Sequence, residues 1–183
     1  MSQSAPLPER LAKDLDGSFP DLVLAVQEGL YSGALRMTGS LTDAEDIAQE
    51  TLVRAYRALG TYPPGRIRRL KLEAWIWTIA ANLCRNRARR RSRKPESPLG
   101  GIEPPAGDAG PEDAAVGGDT RDRLAALVGE LPWPMRAGVV MRHVVGLSYG
   151  EIADALERPV GTVKADVHRG LARLRNMIDR EEL

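Results

Sequence analysis

Residues 95–120 constrain the fold of this chain more than any other stretch, because they divide it in two. The segment contains five prolines, six glycines, six acidic residues and no basic residue. Proline and glycine at this density, without hydrophobic periodicity, stop helices and strands from continuing through it. We therefore predict a flexible acidic linker at 95–120, with one small domain at 1–94 and another at 121–183.

The net charge of the chain is distributed unevenly over these three parts. Residues 1–94 carry 16 basic and 10 acidic residues, a net charge of +6, whereas the linker carries −6. Residues 121–183 carry 10 basic and 9 acidic residues, a net charge of +1. A basic N-terminal domain favours a polyanionic partner, and the acidic linker indicates a separate role.

Composition excludes several other classes of protein. A content of 43% hydrophobic and 28% charged residues is ordinary for a soluble protein. Cys84 is the only cysteine and there are two histidines, so we expect no internal disulfide and no zinc site built from Cys and His. We also expect no other metal and no cofactor. The chain has no signal-peptide core and no apolar run of about 18 residues, which predicts a cytoplasmic protein without membrane insertion.

The N-terminal domain has the hydrophobic periodicity of helices. A first helical pattern begins at Pro20 and is expected to end at Gly39, whereas the polar residues before about Ser18 indicate no element. Thr42 and Glu45 fit a capping box, which predicts that a second helix begins there. The buried positions would be Leu22, Val26, Leu30, Ala34 and Met37 in the first helix, and Ile47, Thr51, Ala55 and Leu59 in the second.

The opposite face of the second helix carries an acidic strip with one exposed aliphatic side chain. Its members are Asp46, Gln49, Glu50, Val53 and Arg57. Both a solvated helix flank and a docking face for a basic partner helix fit this pattern.

A segment rich in proline and arginine follows. Pro63, Pro64 and Gly65 predict that residues 62–69 form a loop rather than a helix. The segment carries three arginines, and basic loops often contact phosphate.

The next helical pattern is a candidate nucleic-acid interface. Its apolar stripe would be formed by Leu72, Trp75, Ile76, Ile79, Ala80 and Leu83. Trp77 lies beside the stripe and either packs in a neighbouring groove or stacks on an unpaired base. Seven of the ten residues 85–94 are basic, and a polar ladder at spacings of three or four residues contains Asn82, Asn86, Arg89 and Arg93. Amides can read base edges and arginines bind phosphate, so this helix suits nucleic acid.

Residues 147–175 have a pattern typical of a helix-turn-helix. Ser148 and Glu151 fit a capping box, and the leucine before the cap can pack on Ile152. Residues 158–161, RPVG, interrupt the apolar period and predict the turn.

The second helix of this motif has a distinct inner and outer face. The inner residues would be Val163, Val167, Leu171, Leu174 and Ile178. The outer residues would be Lys164, Ala165, His168, Arg169 and Arg173. The outer face fits either insertion into a major groove or a helical hairpin with a solvated basic flank.

Three segments, in this order and with this linker, together resemble the extracytoplasmic-function (ECF) sigma factors of bacterial transcription. Residues 43–59, DAEDIAQETLVRAYRAL, resemble the core-binding helix of sigma region two. Residues 74–91, AWIWTIAANLCRNRARRR, resemble its promoter-melting helix. The LP at 131 and residues 146–175, GLSYGEIADALERPVGTVKADVHRGLARLR, resemble region four. The resemblance implies an all-α fold with a region-two helical bundle at 1–94 and a region-four helix-turn-helix domain at 121–183.

The resemblance also implies partners and site residues. The partners would be core RNA polymerase, through its large-subunit clamp helices and flap, promoter DNA and an anti-sigma factor. The residues that bind core polymerase would be Asp43, Asp46, Gln49, Glu50 and Val53. The residues at the minus-ten element would be Tyr62, Arg66, Arg68, Trp77, Asn82, Arg85, Asn86 and Arg89. The residues at the minus-thirty-five element would be Arg158, Thr162, Lys164, Ala165, His168, Arg169 and Arg173. The acidic linker would follow the path of nascent RNA.

Asp166 departs from the family pattern, which usually has a basic residue there. Its carboxylate could accept a hydrogen bond from a cytosine amino group, pair with a neighbouring arginine, or point away from DNA. If it faced phosphate, Asp166→Arg would strengthen promoter binding and steepen its salt dependence.

Two other functions are compatible with parts of the sequence. A self-sufficient helix-turn-helix regulator would bind duplex DNA as a dimer, but we find no ligand or receiver domain. An enzyme acting on nucleic acid would need a phosphate loop, a metal cluster or a nucleophile, and none is recognisable, so no catalytic residue is predicted.

Overall fold

A computed structural model describes residues 5–93 and 123–181, and the side chains of residues 5–90 and 123–180. The predicted linker at 95–120 lies outside the described residues. Within the described ranges the chain is all-α, as predicted, and contains no strand. The helices are α1 Leu7–Lys13, α2 Leu15–Thr38, α3 Leu41–Thr61, α4 Pro64–Arg68, α5 Leu72–Arg93, α6 123–130, α7 Trp133–His143, α8 Tyr149–Leu156 and α9 Val160–Glu181.

Helices α2 and α3 pack against each other as an antiparallel pair. The end of α2 and the start of α3 are capped by residues next to them in the sequence. Gly39 ends α2 as predicted, since it adopts a left-handed conformation with a φ of 67° and its N–H donates to the Leu35 carbonyl. The predicted cap at Thr42 is wrong by two residues. Ser40 caps α3, because its hydroxyl accepts from the Asp43 N–H. The predicted buried face of α3 is confirmed by burial of Ile47, Thr51, Ala55 and Leu59.

Two short helices occur where the sequence indicated none. Helix α1 packs against α2 and α4, and its Leu11 is buried. Helix α4 corrects the expectation that residues 62–69 form only a loop. Its first residue is Pro64, where the missing N–H leaves no hydrogen bond unmade, and Ile67 anchors it in the core.

The buried face of α5 is rotated relative to the predicted stripe. Trp75 is only half-buried, whereas Trp77 is 2% exposed. The Trp77 ring lies against Gly33 of α2, where a Cβ atom would overlap it. Trp77 therefore packs between helices and cannot stack on a base, which corrects its assignment to the minus-ten surface. The fully buried positions of α5 are Ile76, Trp77, Ala80, Ala81 and Cys84.

Helices α7, α8 and α9 form the helix-turn-helix domain. The predicted capping box is present, because Ser148 and Glu151 exchange side-chain to backbone hydrogen bonds. Helices α7 and α9 cross closely at two glycines: a Cβ on Gly138 would lie 2.9 Å from the Val167 Cγ2 atom, and one on Gly170 would lie 2.8 Å from a valine methyl of α7. This crossing leaves little room for α9 to shift. Leu171 corrects the predicted inner face, because it is 41% exposed.

The two domains contact each other. Helix α8 packs against α5, and α7 packs against α2. The Lys71 Nζ atom lies 3.1 Å from a carboxylate oxygen of Glu151, and the Arg136 Nη1 donates to the Met37 carbonyl at 2.9 Å. The helix of the predicted minus-ten surface is therefore partly covered by the first helix of the helix-turn-helix. Among the helices in the described ranges, none is long and apolar enough to cross a membrane.

Candidate nucleic-acid and protein interfaces

The acidic strip of α3 borders a groove against α5. The groove has a volume of about 470 Å³, and the exposed Val53 side chain lies in it. Its lining residues are Asp46, Gln49, Glu50, Val53, Arg54, Leu83, Asn86, Arg87 and Arg90. The fold thus turns a helix face into a concave surface with an aliphatic centre and charged edges.

Ion pairs fix the carboxylates of this groove. Arg87 of α5 holds Asp46 of the groove, with Nη2 at 2.9 Å from the Asp46 Oδ2, and its Nη1 lies 2.8 Å from the Oδ1 of Asp43, which precedes the groove on α3. Glu50 pairs with Arg54 one turn along α3 at 2.7 Å. The strip is therefore less negative than its sequence suggests, and Arg87 is an organising residue that the sequence pattern did not single out.

Three side chains gather at the junction of α3, α4 and α5. The Tyr62 and Trp75 rings meet edge to face with centroids 5.9 Å apart, and the Arg66 guanidinium lies 3.6 Å from the centre of the Tyr62 ring. Arg68 lies outside this cluster, because its Nε donates to Glu9 of α1. Of the two arginines assigned to the minus-ten element here, only Arg66 belongs to an aromatic surface.

The polar ladder of α5 is divided between internal bonds and exposed groups. The Asn82 Nδ2 donates to the Thr78 carbonyl at 3.0 Å, and its oxygen accepts from Arg85. The Asn82 amide is thus occupied within its own helix. Asn86 and Arg89 are exposed, and Asn86 lies in the groove beside α3.

The outer face of α9 agrees with its predicted residues. Lys164, Ala165, His168, Arg169 and Arg173 are exposed, and Thr162 is half-buried. The Tyr149 ring adds an aromatic support that the sequence reasoning missed. The Arg142 guanidinium carbon is 5.0 Å and the Lys164 Nζ 5.8 Å from its centre. The position of Tyr149 directly after the cap residue of α8 was the sequence feature that could have indicated this support.

Asp166 does not lie on the outer face. Its residue surface is 3% exposed, and its two carboxylate oxygens pair separately with Arg158 of the turn and Arg169 of α9. Of the three alternatives left open by the sequence, the structure shows pairing with neighbouring arginines.

Neither the histidines nor the cysteine forms a reactive cluster in the described ranges. No group of three or more His, Cys, Asp or Glu side chains there is arranged to hold a metal ion. Burial raises the pKa of the Cys84 thiol to about 12, so this thiol is not activated as a nucleophile.

Comparison with known proteins places these surfaces in a family. The family model for Sigma-70 region 2 matches residues 22–94, and the model for Sigma-70, region 4, matches residues 121–174. The chain is 32% identical to the ECF RNA polymerase sigma factor SigW of Bacillus subtilis, over 93% of this chain and 94% of that protein. The chain belongs to the ECF sigma factors.

Other relatives agree with this assignment. The ECF RNA polymerase sigma factor SigE of Mycolicibacterium smegmatis is 36% identical over 88% of this chain, which spans 62% of the length of SigE. Among solved structures, CnrH in complex with the cytosolic domain of CnrY superposes with a TM-score of 0.68 at 25% identity, over 95% of this chain and 96% of CnrH. As a sigma factor, the chain directs promoter-specific transcription initiation by RNA polymerase.

Proposed function

We propose that this sigma factor divides its work among three surfaces, of which the first two meet at Asn86 of α5. The groove between α3 and α5 binds core RNA polymerase, the exposed part of α5 with the Tyr62 cluster engages the minus-ten element, and α9 reads the minus-thirty-five element. The observation that carries the proposal is the groove of about 470 Å³ on one side of α5, distinct from the outer face of α9. The domains would be residues 1–94 and 121–183, with the linker at 95–120 between them.

Polymerase binding at the groove is supported by its shape and chemistry. The exposed Val53 side chain offers apolar area, and Asp46 and Glu50 offer carboxylates to a basic partner helix. Because Arg87 and Arg54 already hold these carboxylates in place, little side-chain entropy is lost on binding. Asp43 and Gln49 complete the proposed docking set.

Minus-ten recognition is supported by exposed cations next to an aromatic surface. Arg66 stacks on Tyr62, and Asn86 and Arg89 are exposed farther along α5. A base that leaves the opened duplex can stack on such a surface, which offsets part of the cost of unstacking. Asn82, Arg85 and Arg68 would act by holding this surface rather than by reading bases, because each is bonded within the protein.

Minus-thirty-five recognition is supported by the exposed cationic face of α9. Lys164, His168, Arg169 and Arg173 lie on a helix whose position is fixed by its close crossing with α7. A helix of this kind enters the major groove, with Arg158 and Thr162 near its first turn.

Further parts of the proposal concern compartment, chemistry and regulation. The protein would act in the cytoplasm, where promoters and core polymerase are, and would have no catalytic chemistry of its own. We also expect an anti-sigma partner, a proposal that is compatible with the solved complex of CnrH with a domain of a second protein.

The test is transcription with purified components. The full chain is mixed with core RNA polymerase and a promoter library, and the transcripts and the selected promoters are sequenced. We expect specific start sites with a shared minus-ten and minus-thirty-five sequence. Tight promoter binding by the chain alone, without transcripts when core enzyme is added, would favour a self-sufficient regulator instead.

The polymerase surface has its own variant pair. Val53→Lys places a cation in the groove and should weaken binding to core polymerase at least about tenfold, the effect of losing one well-placed interface contact. Leu24→Lys changes an aliphatic side chain of α2 that is 69% exposed and outside the groove, and should bind as the wild type does. Affinities for core polymerase are measured by fluorescence anisotropy. If the Val53→Lys variant binds core polymerase as tightly as the wild type, the groove is not the polymerase-binding surface.

A further inference from the structure

A buried carboxylate joins two arginines on one side of the recognition helix. Asp166 Oδ1 accepts from the Arg169 Nη2 at 2.6 Å, and its Oδ2 accepts from the Arg158 Nη1. Arg158 lies in the turn before α9, and Arg169 lies one helical turn beyond Asp166. A single side chain therefore ties the turn of the helix-turn-helix to the middle of α9.

The exposure of the three side chains shows which group meets an approaching anion. The Asp166 side chain is 5% exposed, the Arg158 side chain 33% and the Arg169 side chain 59%. The carboxylate thus lies beneath and the two guanidiniums lie above it, towards solvent. An anion that approaches this face contacts the guanidiniums first, and the three groups together carry a net charge of +1.

The carboxylate also makes this arrangement stable in the free protein. Two guanidiniums that share one carboxylate must lie side by side, where they would otherwise repel each other. Each arginine uses one N–H group for Asp166, and within the described ranges the other guanidinium N–H groups of Arg158 and Arg169 have no protein acceptor. Adjacent guanidinium forks with unused donors match the oxygen atoms of a phosphate.

We propose that Asp166 is a positioning residue that holds Arg158 and Arg169 as one fixed clamp for a single DNA backbone phosphate. A phosphate bound at a fixed point sets the register of α9 in the groove, so the clamp affects how well the factor distinguishes its promoter. This inference rests on the proposed role of α9 at the minus-thirty-five element. It reverses the expectation for a carboxylate next to DNA, because removal of Asp166 would weaken binding.

The experiment compares salt dependence in charge-matched variants. Holoenzyme made from core polymerase and the full chain is titrated with a selected promoter fragment, and with a fragment whose minus-thirty-five element is scrambled, at several salt concentrations. Asp166→Asn raises the net charge by one, so a simple charge effect predicts tighter binding and a steeper salt dependence. The clamp predicts weaker binding to the selected promoter, on the order of tenfold, and a slope of log K against log salt that is shallower by about 0.9.

Asp179→Asn is the matched control, because Asp179 is an exposed aspartate of the same helix and its loss changes the net charge equally. It should not reduce promoter binding. In the variant that replaces both Arg158 and Arg169 with Gln, the slope of log K against log salt should become shallower by about 0.9, the value for one phosphate contact. Two independent phosphate contacts would give twice that change. In that background, Asp166→Asn should change DNA affinity no further, a result that does not depend on how Asp166→Asn alone affects folding.

The possible outcomes separate this inference from the proposed function. A wild-type holoenzyme without any preference for the selected minus-thirty-five element would overturn the proposed function of α9. A wild type that shows this preference, together with an Asp166→Asn variant that binds as tightly or more tightly with an equal or steeper salt slope, would overturn the clamp alone.

Discussion

Glu151 shows how one carboxylate can serve both a helix and a domain contact. It accepts from the Ser148 backbone N–H at 2.9 Å and from the Ser148 hydroxyl at 2.7 Å, and it pairs with Lys71 of the other domain. The hydrogen bond from the Ser148 backbone, followed by those from its hydroxyl and from Lys71, lowers the pKa of Glu151 from 4.5 to about 2. The ionised form is therefore the one that the folded protein prefers.

This pKa shift predicts a pH-dependent loss of stability at low pH. Because the pKa of Glu151 is lower in the folded state, its stabilising effect is complete above pH 4.5 and is lost as pH falls towards 2. We expect Glu151→Ala to lower the free energy of unfolding by about 1 kcal/mol at pH 7. The difference in free energy of unfolding between Glu151→Ala and the wild type, measured by urea titration, should shrink as the pH falls from 4.5 towards 2. Asp154→Ala, an exposed change on the same helix, should show no such convergence.

At the scale of elements, the contact between α2 and α5 is set by one glycine and one tryptophan. Trp77 is 2% exposed and its ring occupies the space that a side chain at Gly33 would need. The same contact orients α5, and so decides which of its residues face α3 and which face solvent. From the amphipathic pattern of α5 alone, the predicted apolar stripe was displaced by about one residue from the buried face, which includes Trp77, Ala81 and Cys84.

The Gly33 contact predicts opposite effects for two glycines of α2. Alanine is the better helix former, so Gly29→Ala, which meets no neighbouring atom within 4 Å, should raise the free energy of unfolding by up to about 1 kcal/mol. Gly33→Ala should lower it by about 1 to 3 kcal/mol, because the buried Trp77 ring cannot move aside. Thermal melts of both variants test the contact, and stabilisation by Gly33→Ala would contradict it.

At the scale of the whole molecule, the two domains hold each other through α5 and α8. The proposed minus-ten helix lies against the first helix of the helix-turn-helix, while the outer face of α9 remains exposed. Arg136 contributes at a second point, where it donates to the Met37 carbonyl of α2. Helix α8 covers part of α5, the helix proposed to bind the minus-ten element. If the covered residues of α5 contact DNA, α8 must move away from α5 before both promoter elements can bind.

Reversal of one charge should separate the domains. Lys71→Glu places two carboxylates together where Lys71 now pairs with Glu151 at 3.1 Å. We expect a larger radius of gyration by small-angle scattering at low ionic strength, with a smaller increase at 1 M salt, where the Debye length is about 3 Å. Lys71→Gln is the control and should change little, because exposed pairs contribute only about 0 to 1 kcal/mol. A radius unchanged by Lys71→Glu would show that this ion pair does not hold the contact.

Features that depend on neighbours in the chain were predictable from the sequence. The cap at Ser148, the end of α2 at Gly39 and the buried face of α3 follow from local hydrogen bonds and from periodicity. The order of the three family-like segments was also sufficient to identify the family. The helix at Pro64 was missed because proline usually interrupts a helix but is tolerated in a first turn, and the helix is shown by the N–H groups of Arg66 and Ile67, which donate to the Pro63 carbonyl.

Features that depend on contacts distant in sequence were decided by the tertiary structure. The position of Trp77 beside the stripe fits either packing or base stacking, and the family resemblance placed it at the minus-ten element. Only its contact with Gly33 of another helix shows that it is buried. Asp166 offered three alternatives, which its pairing with Arg158 and Arg169 reduced to one. The sequence by itself therefore determined the two helical domains and the family, since periodicity and motif order are local properties. The direction of each polar side chain was decided by packing between helices, which brings together groups that no local pattern relates.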